Sequence, residues 1–201
     1  MRTLNLIRDK NSKLLLVLGF LWSIALLGGF TLIAWYSNNA GEKSSPPRSL
    51  SRIMPSSFNN TQYQLFMFIH PKCPCSRSSI RELERLISRC PKSITSTFFC
   101  YLPSDKTIQW SKTDIMGSAQ SIPHSKTIYD IDGTWAKNFD AKTSGHVLLY
   151  DTNRTLVFSG GITAGRGHEG ESIGRTWITK VVRNKSKESY ECPVFGCPIF
   201  K

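Results

Sequence analysis

The sequence is poor in acidic residues: 14 Asp and Glu stand against 26 Lys and Arg, which gives a net charge of +12. No part of the chain gathers these basic residues into a dense run with interleaved aromatic side chains, and this absence argues against a nucleic-acid site. The sequence also lacks an internal repeat, which excludes repeat architectures. No nucleic-acid partner is therefore expected, and the excess of Lys and Arg is typical of a solvated surface near anionic lipid.

Phosphate-binding motifs are also missing. The glycine-rich stretch GGITAGRGHEG at residues 160–170 lacks both the GKS/T ending of a P-loop and the spacing of a dinucleotide fingerprint. Nucleotide binding is therefore not supported. The loop could bring the charge of Arg166 or His168 to a neighbouring site, and a plain surface loop is the equally good alternative.

A long uncharged segment lies near the N-terminus of the 201-residue chain. Residues 14–35 form a run of about 22 residues, enough to cross a hydrocarbon core of about 30 Å as a helix. The flank at residues 1–13 contains one acidic residue, Asp9, and four basic ones, which are Arg2, Arg8, Lys10 and Lys13. The excess of positive charge predicts a cytoplasmic N-terminus, and therefore a single-pass protein of the cytoplasmic membrane whose domain is extracytoplasmic, or periplasmic. A cleaved signal peptide is the alternative, disfavoured because the run is long and no small-x-small cleavage site follows it.

The remaining chain has the size of one domain. Residues 36–61 are rich in Ser, Asn, Pro and Lys, a composition that predicts a flexible linker. Residues 62–201 are expected to form the domain together with a cysteine-containing C-terminal tail. That tail is rich in proline and apolar residues, so we expect it to pack back on the domain.

The pattern of the domain alternates between strands and helices. Residues 63–69 (YQLFMFI) predict a buried strand, and residues 76–89 predict an amphipathic helix with apolar residues at three-to-four spacing. Further strands are predicted at residues 95–102, 127–129, 146–150 and 155–160, and helices at residues 106–122, 134–139 and 173–182, the last with Ser172 as a cap. This order predicts an α/β fold, a mixed sheet sandwiched between helices with a right-handed parallel crossover.

The loop between the first strand and the first helix contains the sequence Cys73-Pro74-Cys75. A thiol at the start of a helix is close to the positive end of the helix dipole, which favours the thiolate, so Cys73 is the candidate nucleophile. Because only Pro74 separates the two cysteines, a disulfide with Cys75 would close a strained ring and would tend to oxidise other thiols. The alternatives are that these cysteines belong to two separate structural bridges or are unreactive.

His70 precedes this pair by three residues and could stabilise the thiolate or assist proton transfer. The set His70, Cys73 and Cys75 also suits a soft-metal site for copper(I) or zinc, which is the main alternative to redox chemistry. A fourth ligand would have to come from Cys197, Cys192 or His168. Without such a metal, no cofactor is required.

The other four cysteines have several open roles. In an extracytoplasmic compartment some are expected to be paired, but six cysteines allow fifteen full connectivities. A Cys192 to Cys197 staple is the simpler arrangement for the tail, and Cys197 as a resolving thiol for Cys73 is the alternative. Cys90 and Cys100 are expected to be buried or bridged.

Residues 62–182 resemble the thioredoxin-like superfamily, with its three-layer α/β/α sandwich, in the order of their elements. The blocks HPKCPCSRSSIRELERL, TSGHVLLYD, GGITAGRGHEGESIGR and CPVFGCPIF are more narrowly similar to bacterial membrane-anchored thioredoxin-like proteins of the RedB type. The resemblance implies a redox role for Cys73 and Cys75. The chain departs from the thioredoxin pattern in having CxC in place of CxxC. It also has Gly145 where a cis-proline is usual, which could leave a backbone edge free for a partner.

These observations favour a thiol-disulfide oxidoreductase that acts on protein thiols or disulfides, in which Cys73 attacks or is attacked and Cys75 resolves the mixed disulfide. A copper or zinc binding or delivery module is the second hypothesis. A thioredoxin-like fold used only as a docking surface is the third.

Overall fold

The chain begins with one long helix in the computed structural model, which describes residues 2–54, 61–90, 93–185 and 188–200. Helix α1 spans Arg2–Asn38. Its part Ser12–Asn38 is long and apolar enough to cross a membrane, a criterion that a signal sequence also meets. The predicted spanning segment at residues 14–35 lies within it. The rest of the chain, from Asn39 onward, forms a second compact unit.

A six-stranded mixed sheet is the centre of this second unit. Its strands, β1 to β6 in chain order, are Tyr63–Ile69, Ile94–Leu102, Ser125–Ile131, His146–Tyr150, Leu156–Gly160 and Tyr190–Glu191. They lie in the sheet in the order β3-β2-β1-β4-β5-β6. Strands β1, β2 and β3 run parallel to one another, β4 is antiparallel to β1 and β5, and β6 is parallel to β5. Strand β1 is central because nearly all of its residues are apolar and pack on both faces of the sheet.

Helices cover both faces of the sheet. Their bounds are α2 Ser76–Arg89, α3 Ile108–Ser111, α4 Asp114–Gln120, α5 Thr134–Asn138 and α6 Ile173–Asn184, with a 3₁₀ turn at Leu50–Arg52. Apolar side chains of α2, α4 and α6 pack with Leu65, Met67 and Ile69 on one face. Residues from α5 and from the 3₁₀ turn pack with Phe66 and Phe68 on the other. The predicted three-layer α/β/α arrangement is therefore confirmed.

The helix predicted at residues 106–122 is two short helices instead. The chain turns extended at Lys112 and Thr113, and the hydroxyl of Thr113 accepts a hydrogen bond from the backbone N–H of Met116 at 3.4 Å. The extended backbone of a capping residue cannot continue a helix that comes before it, so the helix that precedes Thr113 ends there. The strand predicted at residues 127–129 is longer than expected and pairs with β2 over residues 125–131.

Part of the predicted flexible linker is packed, and this expectation needs correction for residues 39–54. The side chains of Leu50 and Met54 are buried in the second core. The hydroxyl of Tyr150 donates to the carbonyl of Pro47 at 2.8 Å, and the N–H of Leu156 donates to the carbonyl of Arg48. Residues 55–60 of the predicted linker lie outside the described residues. A segment of polar composition can pack in this way when a few apolar residues and its backbone groups find partners on the domain.

The last described residues, 188–200, which we call the C-terminal segment, lie against the domain as predicted. Strand β6 pairs with β5 at its start. Further along, the carbonyl groups of Pro193 and Val194 accept hydrogen bonds from the N–H groups of Gly161 and Gly41. The side chain of Ile199 is buried in the second core.

Candidate active site

The loop of residues 70–75 folds into a tight turn that leads directly into α2. The N–H of Cys73 donates to the carbonyl of His70 at 3.0 Å, and the carbonyl of Cys73 accepts from the N–H of Ser76 at 3.1 Å. Cys75 is the residue that caps the helix, and its backbone is already helical. Cys73 therefore lies at the N-terminal end of α2, where the sequence pattern placed it.

Three thiols meet at this end of the helix. The sulfur atoms of Cys73, Cys75 and Cys197 all lie within 4.8 Å of one another. Cys73 is only 2 % exposed, and Cys197 is partly exposed. Within the described ranges, no other group of three Cys, His, Asp or Glu residues meets this distance. We call these three residues the thiol cluster.

The thiols of the cluster differ in acidity. Burial on its own would raise the pKa of Cys73, but hydrogen bonds from Cys197 and Ser76 outweigh it and hold this pKa below its ordinary value. For Cys197, burial together with the hydrogen bond and charge of Cys73 raises the pKa to about 12. The pKa of Cys75 is raised by burial and by Cys73, while the charge of Arg166 works in the opposite direction. Cys73 is therefore the thiol of the cluster that ionises first.

Two serines, Ser76 and Ser144, link the cluster to the sheet, and no sequence motif marks either of them as a site residue. The hydroxyl of Ser144 accepts a hydrogen bond from the N–H of His70 at 2.8 Å and lies 2.7 Å from the hydroxyl of Ser76. Ser76 in turn interacts with the sulfur of Cys73. The only signal in the sequence was the position of Ser144 in the TSG turn before β4, where polar residues are common for other reasons.

His70 lies beside the thiol cluster but is not a member of it. Its ring stacks on Tyr101 with 5.6 Å between ring centroids, and it meets the ring of Trp110 edge-on at 5.8 Å. Its Nδ1 accepts a hydrogen bond from the N–H of Lys72 at 3.2 Å. The three candidate metal ligands that lie together are therefore Cys73, Cys75 and Cys197, and not the predicted set of His70, Cys73 and Cys75.

An aromatic groove opens beside the thiol of Cys73. The cavity has a volume of about 620 Å³, and its lining includes Cys73, Cys197, His70, Tyr101 and Trp110. Apolar and aromatic walls with a few polar groups are typical of sites that bind another molecule. The groove therefore gives access to an otherwise buried sulfur.

Gly145 has a backbone that proline cannot adopt. Its φ is +91°, and its N–H donates to the carbonyl of Phe68 at 2.8 Å. Proline has a fixed negative φ and no N–H, so this position before β4 is specific for glycine. The described residues contain no cis peptide bond. The backbone edge beside Gly145 was expected to be free, but it is occupied, because the N–H of Ser144 donates to the carbonyl of Cys197.

The glycine-rich loop carries Arg166, whose charge works to lower the pKa of Cys75 and whose Nε donates to the carbonyl of Asn39 at 3.0 Å. His168 is exposed. The loop is held against α2 by Glu82, a fully buried carboxylate that accepts from the N–H of Gly170 at 2.8 Å. Glu82 also forms ion pairs with Arg85 and with the buried Arg175. The direction of the effect of Arg166 agrees with a loop that supplies charge to the site, and both interpretations of the loop stay predictions.

The other three cysteines lie outside the cluster. All six cysteines of the chain are thiols in the structure. The sulfur of Cys192 donates to the carbonyl of Gly161 at 3.3 Å, so the segment does not form the expected Cys192 to Cys197 staple. Cys90 and Cys100 are buried, as predicted.

A strand that delivers a cysteine-bearing loop to a helix start, a parallel crossover, an antiparallel pair and a closing helix together define the thioredoxin-like fold. The chain matches no family model and no curated protein. It is similar to a crystal structure of an uncharacterized conserved protein from Geobacillus kaustophilus, with a TM-score of 0.55 and 17 % identity over 82 % of this chain and 93 % of that one. A hypothetical protein from Sinorhizobium meliloti 1021 has a TM-score of 0.56 and 16 % identity over 82 % and 98 % of the two chains. The thioredoxin domain of a thiol-disulfide oxidoreductase from Bacteroides vulgatus has a TM-score of 0.43 and 13 % identity over 74 % and 96 %.

Proposed function

We propose that this protein is a membrane-anchored thiol-disulfide oxidoreductase of the RedB type that acts on protein thiols or disulfides outside the cytoplasm. The observation that carries the proposal is the thiol cluster, in which the thiol of lowest pKa lies at a helix N-terminus beside two further thiols. A thiolate attacks a disulfide sulfur, and a second nearby thiol then resolves the mixed disulfide. The cluster provides both functions without a cofactor.

Cys73 is the attacking residue in this proposal. Its hydrogen bonds favour the thiolate, and the aromatic groove exposes it to a partner. Either Cys75, as the sequence predicts, or Cys197 resolves the mixed disulfide. Pro74 fixes the backbone between the two cysteines of the loop, and His70 forms a wall of the groove at which a proton can enter or leave.

The place of the domain relative to the membrane is part of the proposal. Helix α1 has the length and apolarity of a span, and the basic residues before it favour a cytoplasmic N-terminus. We expect that protease added to intact spheroplasts digests the domain. Digestion only after lysis would show that the domain is cytoplasmic and would contradict the proposed orientation.

A redox titration of the full-length protein in detergent tests the chemistry. After equilibration in glutathione buffers of set potential, free thiols are alkylated and counted by mass. The wild type should show a reversible two-electron transition that Cys73→Ser abolishes. Cys100→Ser is the matched control, because Cys100 is buried away from the cluster and its pKa is raised to about 12 by burial. An unchanged titration in Cys73→Ser would contradict the proposal.

A three-thiolate metal module is the second candidate, favoured by the same cluster. Thiolates are soft ligands, and three of them within 4.8 Å fit copper(I) in trigonal coordination better than zinc, which prefers four ligands. Cys73, Cys75 and Cys197 would hold the ion. Anaerobic loading followed by metal analysis should give one copper(I) per chain in the wild type and in His70→Ala, and less in Cys197→Ser. Equal copper content in wild type and Cys197→Ser would eliminate this candidate.

A further inference from the structure

The C-terminal segment pairs with the chain just before β4 like an added strand. The N–H of Ser144 donates to the carbonyl of Cys197, and the N–H of Ile199 donates to the carbonyl of Lys142, both at 2.8 Å. The residues between these two hydrogen bonds form an antiparallel bridge. This pairing is what places the sulfur of Cys197 in the thiol cluster.

The sequence of the segment fits this edge closely. A Cβ atom on Gly196 would lie 2.0 Å from the carbonyl oxygen of Ser144, so only glycine permits the approach. Two residues beyond Cys197, the side chain of Ile199 is buried. The ring of Phe200 packs edge-on against Tyr101, a wall of the aromatic groove, with 5.9 Å between centroids. The edge is therefore shaped to hold an extended peptide with a cysteine followed by apolar residues.

The pairing is also short enough to open. Among the described residues, two backbone hydrogen bonds hold the segment at this edge, because Pro198 has no N–H to donate, and the buried side chain of Ile199 adds apolar contact. The upstream hydrogen bonds of Pro193 and Val194 anchor the segment to a different part of the domain. Release of residues 196–200 therefore costs these two hydrogen bonds and the burial of Ile199, while the upstream hydrogen bonds keep the rest of the segment in place.

We propose that this edge is the docking site for an extended, cysteine-bearing segment of a partner protein, and that residues 196–200 are its resident occupant with Cys197 as the resolving thiol. This inference rests on the oxidoreductase function proposed above. The partner segment binds as residues 196–200 leave, and their return displaces the partner and resolves the mixed disulfide. Strand exchange and disulfide exchange are in this way coupled.

The chemistry balances as a two-electron exchange. The thiolate of Cys73 attacks one sulfur of a partner disulfide, and the other partner sulfur leaves and takes up a proton. The thiolate of Cys197 then attacks the sulfur of Cys73, and the second partner sulfur leaves and is protonated. The result is a Cys73 to Cys197 disulfide and a reduced partner dithiol, with two electrons and two protons transferred to the partner.

The geometry favours Cys197 over Cys75 as the resolving residue. The sulfur atoms of Cys75 and Cys197 both lie within 4.8 Å of the sulfur of Cys73, so the difference between them is ring strain. Because only Pro74 lies between Cys73 and Cys75, a bond between these two would close a strained ring. Cys197 approaches from a separate segment of the chain that backbone hydrogen bonds hold to residues 142–144, so a bond to Cys73 closes no such small ring.

The test uses the full-length protein in detergent and a synthetic peptide with the sequence of residues 194–200, Val-Phe-Gly-Cys-Pro-Ile-Phe, carried as a mixed disulfide with glutathione. Acid quenching followed by mass spectrometry measures the peptide adduct on Cys73 and maps the final disulfide. In the wild type the adduct should be transient and end as the Cys73 to Cys197 disulfide. In Cys197→Ser it should accumulate at least about tenfold, because the neighbouring thiol is lost. Cys192→Ser, on the same segment but outside the cluster, should behave as the wild type.

A second variant tests the strand exchange without removal of a thiol. Gly196→Val should drive the segment from the edge, so that the adduct forms faster and is resolved more slowly than in the wild type. A peptide of the same composition in scrambled order should react more slowly than the matched one. Unchanged rates in Gly196→Val, or equal rates with the two peptides, would overturn the docking site.

The outcomes separate the two proposals. If a Cys73-dependent redox transition is present but the product is a Cys73 to Cys75 disulfide, and Cys197→Ser resolves the adduct at the wild-type rate, the present inference is wrong and the oxidoreductase function stands. If Cys73 forms no adduct in any variant and the wild type shows no redox transition, the oxidoreductase function itself fails.

Discussion

Replacement of Glu82 by glutamine is the most direct test of how the glycine-rich loop is held against α2. The carboxylate is fully buried, and it pairs with the guanidinium of Arg175, whose side chain is 5 % exposed. Its pairing with Arg85 involves a half-exposed side chain and contributes little. In Glu82→Gln the buried charge of Arg175 loses its partner, and an unpaired buried charge is strongly destabilising.

The magnitude follows from the burial of the pair. Loss of one partner of a buried ion pair costs about 3–5 kcal/mol of the free energy of unfolding. For a domain of this size each kcal/mol lowers Tm by about 2–4 °C, so a decrease of about 6–20 °C is expected. Thermal unfolding of the full-length protein in detergent, followed by tryptophan fluorescence, measures it. Glu84→Gln, an exposed position on the same helix, should leave Tm nearly unchanged.

A double variant distinguishes the charge from the shape. When Glu82 and Arg175 are both replaced by methionine, most of the lost stability should return, because apolar side chains of similar volume often replace a buried pair at little cost. A free energy of unfolding of Glu82→Gln within about 0.5 kcal/mol of the wild-type value would contradict this expectation, because changes of that size are typical of surface substitutions.

Three further predictions concern the site and the sheet behind it. Because its pKa is lowered, Cys73 should react with iodoacetamide at a lower pH than Cys192, whose pKa is raised by burial to about 11. Peptide mass spectrometry measures the alkylation of each cysteine against pH, and equal pH dependence of the two would contradict this prediction. Burial lowers the pKa of His146 to about 4, so stability should be fully present above the ordinary pKa of histidine and fall by about 3 kcal/mol as pH decreases toward 4. Urea unfolding against pH measures this fall, which His146→Gln should remove and the exposed His168→Gln should keep. Gly145→Ala should lose about 1–3 kcal/mol in the same assay, because its φ is +91° and the new Cβ would lie 2.8 Å from the hydroxyl of Ser79; an unchanged midpoint would contradict the strain.

Short-range patterns in the sequence determined much of this fold. The run at residues 63–69 and the three-to-four spacing at residues 76–89 predict β1 and α2 with the bounds that the structure has. The position of Cys73 at the start of α2 follows from these two elements alone. Hydrophobic periodicity and helix caps act over a few residues, so one sequence suffices to read them. The two short helices in place of one show the limit, because the cap at Thr113 looks like any other polar residue within an amphipathic run.

Only the tertiary structure decided which residues complete the thiol cluster. Cys197 had several possible partners, and its pairing depends on a backbone edge that the sheet leaves open before β4. Ser144 joins the site from a position 68 residues beyond Ser76. The charge of Arg166 acts on the pKa of Cys75 from a loop that a buried carboxylate on another element holds at Gly170. Contacts between distant segments depend on which faces and edges remain unpaired after the local elements have formed, and no local pattern in a single sequence records that.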